Sequence, residues 1–166
     1  MTTFVTSPNQ DAVQTEVYIA APPERVFQAL TDPKQLVQWW GQSGTYRITR
    51  MEADIRVGGK WRSEGEGSDG QQFYVEGEYR EVNLPRSVAY TWRSSYSPGR
   101  ETLVRFELVA EGKGTWVRVH HSGFARDPEG AKSHGNGWIR VLGWMRDYLE
   151  RNETIDARPP QAVPRP

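Results

Sequence analysis

The order of hydrophobic and polar positions divides the first third of the chain into one strand and two short helices. Over residues 13–20 the two kinds of side chain alternate, which predicts a strand with one buried face. Proline-led segments follow at Pro22 and Pro33. Because proline and acidic residues favour the first turn of a helix, these segments predict two short helices, the second ending near Trp40.

A long run of strands follows. The candidate strands are residues 46–52, 60–66, 73–82, 88–93, 102–109 and 115–122. The segments between them are rich in glycine, proline, serine and asparagine, which is the chemistry of turns. Strands so evenly spaced predict an antiparallel meander.

The last element is a long helix over about 131–151. Its hydrophobic stripe, at helical spacing, consists of His134, Trp138, Val141, Leu142, Met145, Tyr148 and Leu149. Only this helix is long enough to cover the apolar face of the sheet. We therefore predict an α+β domain in which a curved antiparallel sheet wraps around the C-terminal helix. The two short helices close only one end, so a cavity is expected between sheet and helix.

The predicted domain covers residues 12–151. Residues 1–11 are polar and aperiodic, and we interpret them as a flexible arm. Residues 152–166 hold four prolines and little apolar surface, which predicts a disordered tail.

Composition excludes several classes of function. The 166 residues contain 21 basic and 21 acidic side chains, so no basic stripe for nucleic acid is expected. Cysteine is absent, which excludes disulfides, thiolate metal sites and a cysteine nucleophile. No metal-ligand spacing and no phosphate-binding motif occur, so neither a metal nor a cofactor is predicted. Without a membrane-length apolar run or a signal peptide, we expect a cytoplasmic protein with no membrane partner.

Aromatic residues dominate the inward positions. Ten side chains are expected to line the cavity: Trp39, Trp40, Trp61, Tyr90, Trp92, Phe106, His121, Trp138, Leu142 and Met145. Aromatic walls with few polar groups are typical of small-molecule sites. The alternative for each is plain packing, with one of the adjacent pair Trp39-Trp40 in the core and the other at the helix end.

Three polar or small-residue patterns have structural interpretations. His121 could act as a general base, but we interpret it as a hydrogen-bonded structural histidine, and no catalytic residue is assigned. Glu76 and Glu78 share a charged, solvated face. Gly135, Gly137 and Gly143 each cost about 1 kcal/mol against alanine within the last helix, and a close approach of the helix to the sheet, or of a ligand to the helix, would offset that cost. At Gly137 we expect the helix to lie close on the sheet, with Trp138 filling the remaining space.

Motifs spread over residues 13–150 resemble one superfamily in content and order. They are Ala21-Pro22-Pro23-Glu24-Arg25-Val26-Phe27, Leu30-Thr31-Asp32-Pro33, Trp39-Trp40, Asp54-Ile55-Arg56-Val57-Gly58-Gly59-Lys60-Trp61, Gly77-Glu78-Tyr79-Arg80-Glu81-Val82, Tyr90-Thr91-Trp92, Gly114-Thr115, His121-Ser122-Gly123-Phe124, His134 and Gly137-Trp138. The set resembles the START-like, helix-grip (SRPBCC) superfamily, in the branch related to the C-terminal domain of the activator of the heat-shock-protein ATPase.

The resemblance implies a helix-grip fold but several functions, because the superfamily includes lipid and hormone carriers, polyketide cyclases and co-chaperones. The leading hypothesis is binding of a small hydrophobic or aromatic molecule without a cofactor. One alternative is a cofactor-free cyclase or dehydratase that uses the same cavity. Another is a chaperone-activator-like or stress-related interaction domain with a chaperone partner, although a single domain leaves no room for the separate N-terminal chaperone-docking domain of the eukaryotic activators. A homodimer is left open.

Overall fold

A computed structural model describes residues 4–7 and 11–160 of the chain. Its strands and helices, in chain order, are β1 Phe4–Thr6, β2 Ala12–Ile19, α1 Pro23–Thr31, α2 Pro33–Trp39, β3 Gly41–Gln42, β4 Tyr46–Ala53, β5 Lys60–Gly67, β6 Gln72–Asn83, β7 Ser87–Ser94, β8 Thr102–Glu111, β9 Gly114–Ser122, α3 Pro128–Arg151 and a short 3-10 helix Ile155–Ala157. The predicted α+β helix-grip fold is confirmed.

The strands within the described residues form one antiparallel sheet in the order β1-β2-β9-β8-β7-β6-β5-β4-β3. The meander from β4 to β9 is therefore sequential, and β2 closes onto its last strand. Register shifts interrupt the ladder between Ile48 and Arg50 and between Tyr79 and Glu81. Because such bulges bend a strand and increase its twist, the sheet curls around the helix.

Helix α3 begins three residues earlier than predicted. The Asp127 carboxylate accepts a hydrogen bond from the Gly130 N–H at 3.0 Å, and Pro128 occupies the first turn. The helix packs mainly against β2 and β1, where the Phe4 ring lies directly on Gly135. A methyl group added to Gly135 would lie 2.5 Å from that ring, so glycine is required for this approach. The helix thus leans toward one half of the sheet.

The chain ends differ from the predicted flexible arm and disordered tail. Phe4–Thr6 pairs with β2 as an edge strand. At the other end, residues 152–160 fold back onto the domain, burying Ile155 and Arg158. Helix α3 stops at Asn152 in the left-handed conformation, with φ 55°. Residues 1–3, 8–10 and 161–166 of the predicted arm and tail lie outside the described residues.

Arg158 explains why the C-terminal segment is ordered. Its guanidinium donates to the carbonyl oxygens of Trp39, Gly41 at 2.6 Å, Trp144 at 2.9 Å and Glu153 at 3.1 Å. The proline content of this segment predicted disorder. It could not show that a single side chain, Arg158, would donate hydrogen bonds to carbonyl groups of α2, β3 and α3. In the described part of the chain, no helix combines the length and apolarity needed to cross a membrane.

Candidate functional site

An open cavity of about 430 Å³ lies between α3, the α1–α2 pair and strands β4 to β7. It exists because α3 leans toward the opposite half of the sheet. Its lining is mainly aromatic and aliphatic and comprises Leu30, Leu36, Trp40, Tyr46, Ile48, Met51, Trp61, Ser63, Gly67, Phe73, Val75, Tyr79, Tyr90, Trp92, Tyr96, Ser133, His134, Gly137, Trp138, Arg140 and Val141.

Five of the ten candidate residues line this cavity, namely Trp40, Trp61, Tyr90, Trp92 and Trp138. The placement of the other five on the cavity wall is corrected: Trp39, Phe106, His121, Leu142 and Met145 pack in the hydrophobic core. They face inward, as predicted, but the cavity does not extend to them.

Trp138 and His121 form a buried hydrogen-bonded chain. The Trp138 indole N–H donates to His121 Nδ1 at 3.0 Å. Since Nδ1 accepts, the proton of the neutral ring is on Nε2, which lies 2.7 Å from Thr102 Oγ1. Burial, and then the neighbouring His134, hold the pKa of His121 well below its ordinary value. Both ring nitrogens are engaged, so the geometry supports the structural interpretation of His121 rather than a general base.

The adjacent tryptophans at the end of α2 have different roles. Trp39 is fully buried and donates its indole N–H to the Ala29 carbonyl at 2.9 Å. Trp40 follows it as the C-terminal capping residue of α2 and faces the cavity. Its indole N–H donates to the Tyr46 hydroxyl at 3.1 Å. One indole therefore fixes α1 to α2, and the other forms the cavity wall.

Two tyrosine hydroxyls face the cavity from neighbouring strands. Tyr79 and Tyr90 are 3% and 9% exposed, and their rings meet edge to face at 6.0 Å. Neither hydroxyl has a hydrogen-bond partner within the described residues. Burial raises the pKa of Tyr79 to about 12. Burial, and then the neighbouring Tyr79, also raise the pKa of Tyr90. Both remain protonated and can donate a hydrogen bond.

Helix α3 contributes the histidine and the arginine of the described cavity lining. His134 Nδ1 lies 2.9 Å from the Gly130 carbonyl oxygen, which fixes the proton on Nδ1 and leaves Nε2 as an acceptor. Burial lowers the pKa of His134. Arg140 lies at the rim, exposed to solvent, and its charge acts on the Tyr46 hydroxyl. The described lining contains no aspartate or glutamate.

The expectation that the helix lies close on the sheet at Gly137 is wrong. A Cβ built there meets no atom within 4 Å, and the residue borders the cavity. Gly143, six residues later, is equally unobstructed but lies outside the cavity lining. Packing therefore explains Gly135, where Phe4 approaches, but it does not explain Gly137.

Sequence reasoning missed Tyr79, Tyr46 and Arg140. A signal for Tyr79 was available: Glu76 and Glu78 are paired with Arg62 and with Lys60 on the outer face, as predicted for a solvated surface. The opposite phase of the same strand, which includes Tyr79, must then face inward. Tyr46 and Arg140 had no comparable signal, because one starts a strand and the other appears on the polar side of its helix.

The sequence profile of one family, described as "Activator of Hsp90 ATPase homolog 1-like protein", matches residues 20–150. The chain belongs to this family. The AHSA1-like assignment confirms the resemblance drawn from the motifs. No curated protein matches the chain significantly in sequence.

Solved structures show the same AHSA1-like architecture. The AHSA1 protein of Silicibacter pomeroyi is 26% identical, with a TM-score of 0.73 over 85% of this chain and 99% of that one. A Rhodobacter sphaeroides protein is 20% identical, with a TM-score of 0.76 over 90% of this chain and 99% of that one. CalU16 of Micromonospora echinospora is 21% identical, with a TM-score of 0.66 over 92% and 85% of the two chains. The fold is thus shared while most of the sequence differs.

Proposed function

We propose that the chain binds a small, mainly aromatic molecule in the cavity between α3 and strands β4 to β7. The open cavity of about 430 Å³ carries this proposal. Voids left by imperfect packing are seldom larger than a water molecule, whereas sites for small molecules measure roughly 300–1,000 Å³. The cavity has the size and the aromatic lining of a ligand site.

Gly137 supports the same proposal. Glycine within a helix costs about 1 kcal/mol relative to alanine, and Gly137 is the unobstructed glycine of α3 that borders the cavity. No protein atom approaches Gly137 from the side where a Cβ would lie. A ligand seated against the helix backbone accounts for the missing side chain.

The experiment compares Gly137→Leu with Gly143→Leu. Both substitutions replace an unobstructed glycine of α3 with the same good helix former, but only the first extends a side chain from the cavity lining. The probe is the neutral fluorophore N-phenyl-1-naphthylamine, excited by energy transfer from the cavity tryptophans. We expect Gly137→Leu to weaken probe binding at least tenfold and Gly143→Leu to leave it within twofold.

Two results would contradict the proposal. One is a wild-type protein that does not bind the fluorophore at all. The other is equal binding by the two leucine variants, which would place the probe elsewhere. Circular dichroism and thermal melting of both variants show that each is folded, so that a loss of binding is not a loss of structure.

A further inference from the structure

The polar groups of the cavity differ in depth. Tyr79 and Tyr90 line the cavity from the sheet, and both residues are more than nine-tenths buried. Arg140 lies at the solvent-exposed rim on α3. Between them the wall is formed mainly by aromatic rings, including Trp61 and Trp92.

Building on the proposed function, we propose that the ligand is an aromatic carboxylic acid with a second oxygen. That oxygen, a phenolic hydroxyl or a carbonyl, accepts hydrogen bonds from Tyr79 and Tyr90 at the inner end. The carboxylate lies at the mouth beside Arg140. The two groups fix the orientation of a ring system that the aromatic wall alone would bind in several orientations.

At the inner end of the cavity, two tyrosine hydroxyls are available to a ligand. The hydroxyls of Tyr79 and Tyr90 have no hydrogen-bond partner within the described residues, and both residues line the cavity. A molecule in the cavity can therefore serve as their partner. They are paired directly across neighbouring strands with their ring centroids 6.0 Å apart, and Tyr79 contributes to the raised pKa of Tyr90. Two adjacent O–H donors are suited to one oxygen atom with two lone pairs.

At the mouth of the cavity, the guanidinium of Arg140 carries a positive charge. Arg140 is the one permanently charged side chain in the described lining, and no carboxylate of the described residues lies within 4.0 Å of it. Elsewhere on the sheet, arginines such as Arg62 and Arg118 are paired with glutamates. A planar guanidinium with five donors matches a carboxylate well.

The test measures four naphthalene derivatives by calorimetry: naphthalene, 2-naphthol, 2-naphthoate and 6-hydroxy-2-naphthoate. The four compounds carry neither, one or both of the hydroxyl and the carboxylate on the same ring system. The contribution of each group can then be separated, as in a double-mutant cycle. The protein variants are Tyr79→Phe, Tyr90→Phe and Arg140→Gln. Matched controls are Tyr74→Phe, on the outer face, and Arg146→Gln, on α3 outside the cavity lining.

We expect the hydroxyl group to strengthen binding by about tenfold in the wild-type protein, and this gain to disappear in Tyr79→Phe and Tyr90→Phe. The carboxylate should add about threefold, because the pair with Arg140 is exposed. That gain should disappear in Arg140→Gln and shrink at high salt. Neither control should change either gain.

The failures are distinguishable. If naphthalene binds as tightly as its hydroxylated derivative, the tyrosine anchor is wrong while the proposed function stands. If the carboxylate gives no gain, or its gain survives in Arg140→Gln, the assignment of the acid to the mouth is overturned. If none of the four compounds binds, the proposed function and this inference are both refuted.

Discussion

Replacing Arg158 with methionine tests whether the C-terminal segment belongs to the folded domain. Arg158 is 6% exposed, and its guanidinium donates to four carbonyl oxygens, three of them through buried bonds. A net contribution of about 1 kcal/mol for each buried bond gives a loss of about 3 kcal/mol. Methionine keeps an apolar stem, so the loss reports on the hydrogen bonds. For a domain of this size the melting temperature should fall by roughly 6–12 °C, measured by circular dichroism.

The control for this prediction is Arg151→Met. That side chain is 71% exposed, and its contact with Asp147 is 3.9 Å long. An exposed pair of this kind contributes about 0–1 kcal/mol, so the control should melt within about 3 °C of the wild type. Truncation after Asn152 removes both Arg158 and the buried Ile155, and it should cost at least as much as Arg158→Met. A melting temperature for Arg158→Met within 2 °C of wild type would refute the reasoning.

Three further predictions concern the core around α3. Because burial holds the pKa of His121 below its ordinary value of 6.5, the unfolded chain binds a proton that the folded protein excludes. The free energy of unfolding should therefore decrease as the pH falls below about 6.5, by up to about 1.4 kcal/mol per pH unit. In denaturant titrations His121→Gln should flatten this pH dependence. The control His120→Gln, at an exposed position, should leave it unchanged. Trp138→Phe leaves His121 Nδ1 without its donor and should cost about 1–3 kcal/mol; a cost below 0.5 kcal/mol in urea unfolding would contradict the hydrogen-bonded chain. Asp127→Ala removes the cap of α3 and should cost about 1 kcal/mol, and an unchanged urea midpoint would show that the cap is dispensable.

The fold could be predicted because the alternation of hydrophobic and polar residues determines which face of each strand is buried. Alternation along 13–20 and along the later strands corresponds to β2 and to β4 through β9. Phe4–Thr6 and Gly41–Gln42 were missed because three and two residues are too short to show a period. Asp127-Pro128 carries the same start signal as Asp32-Pro33, so the beginning of α3 could have been placed correctly.

The site was harder to predict than the fold. The alternation of residues along a strand shows which side chains face inward, but it does not show whether they meet packed side chains or an open cavity. Phe106 and Trp92 both face inward from neighbouring strands, yet only Trp92 borders the cavity. The difference depends on where α3 lies across the sheet. That position is determined in part by Phe4, which is far from α3 in sequence, and its contact with Gly135 is not visible in any local pattern.

The lean of α3 separates two tasks that a single core usually performs together. The half of the sheet under the helix, with Phe106, His121 and Val119, supplies the close packing that holds the domain together. In the other half, Phe73 and Met51 border open space and are only partly buried. Related proteins could therefore exchange partly buried cavity residues such as Phe73 and Met51, and with them the shape of the molecule accepted, at a smaller cost in packing than at Phe106 or His121. A domain divided in this way can diversify its chemistry while its scaffold stays the same.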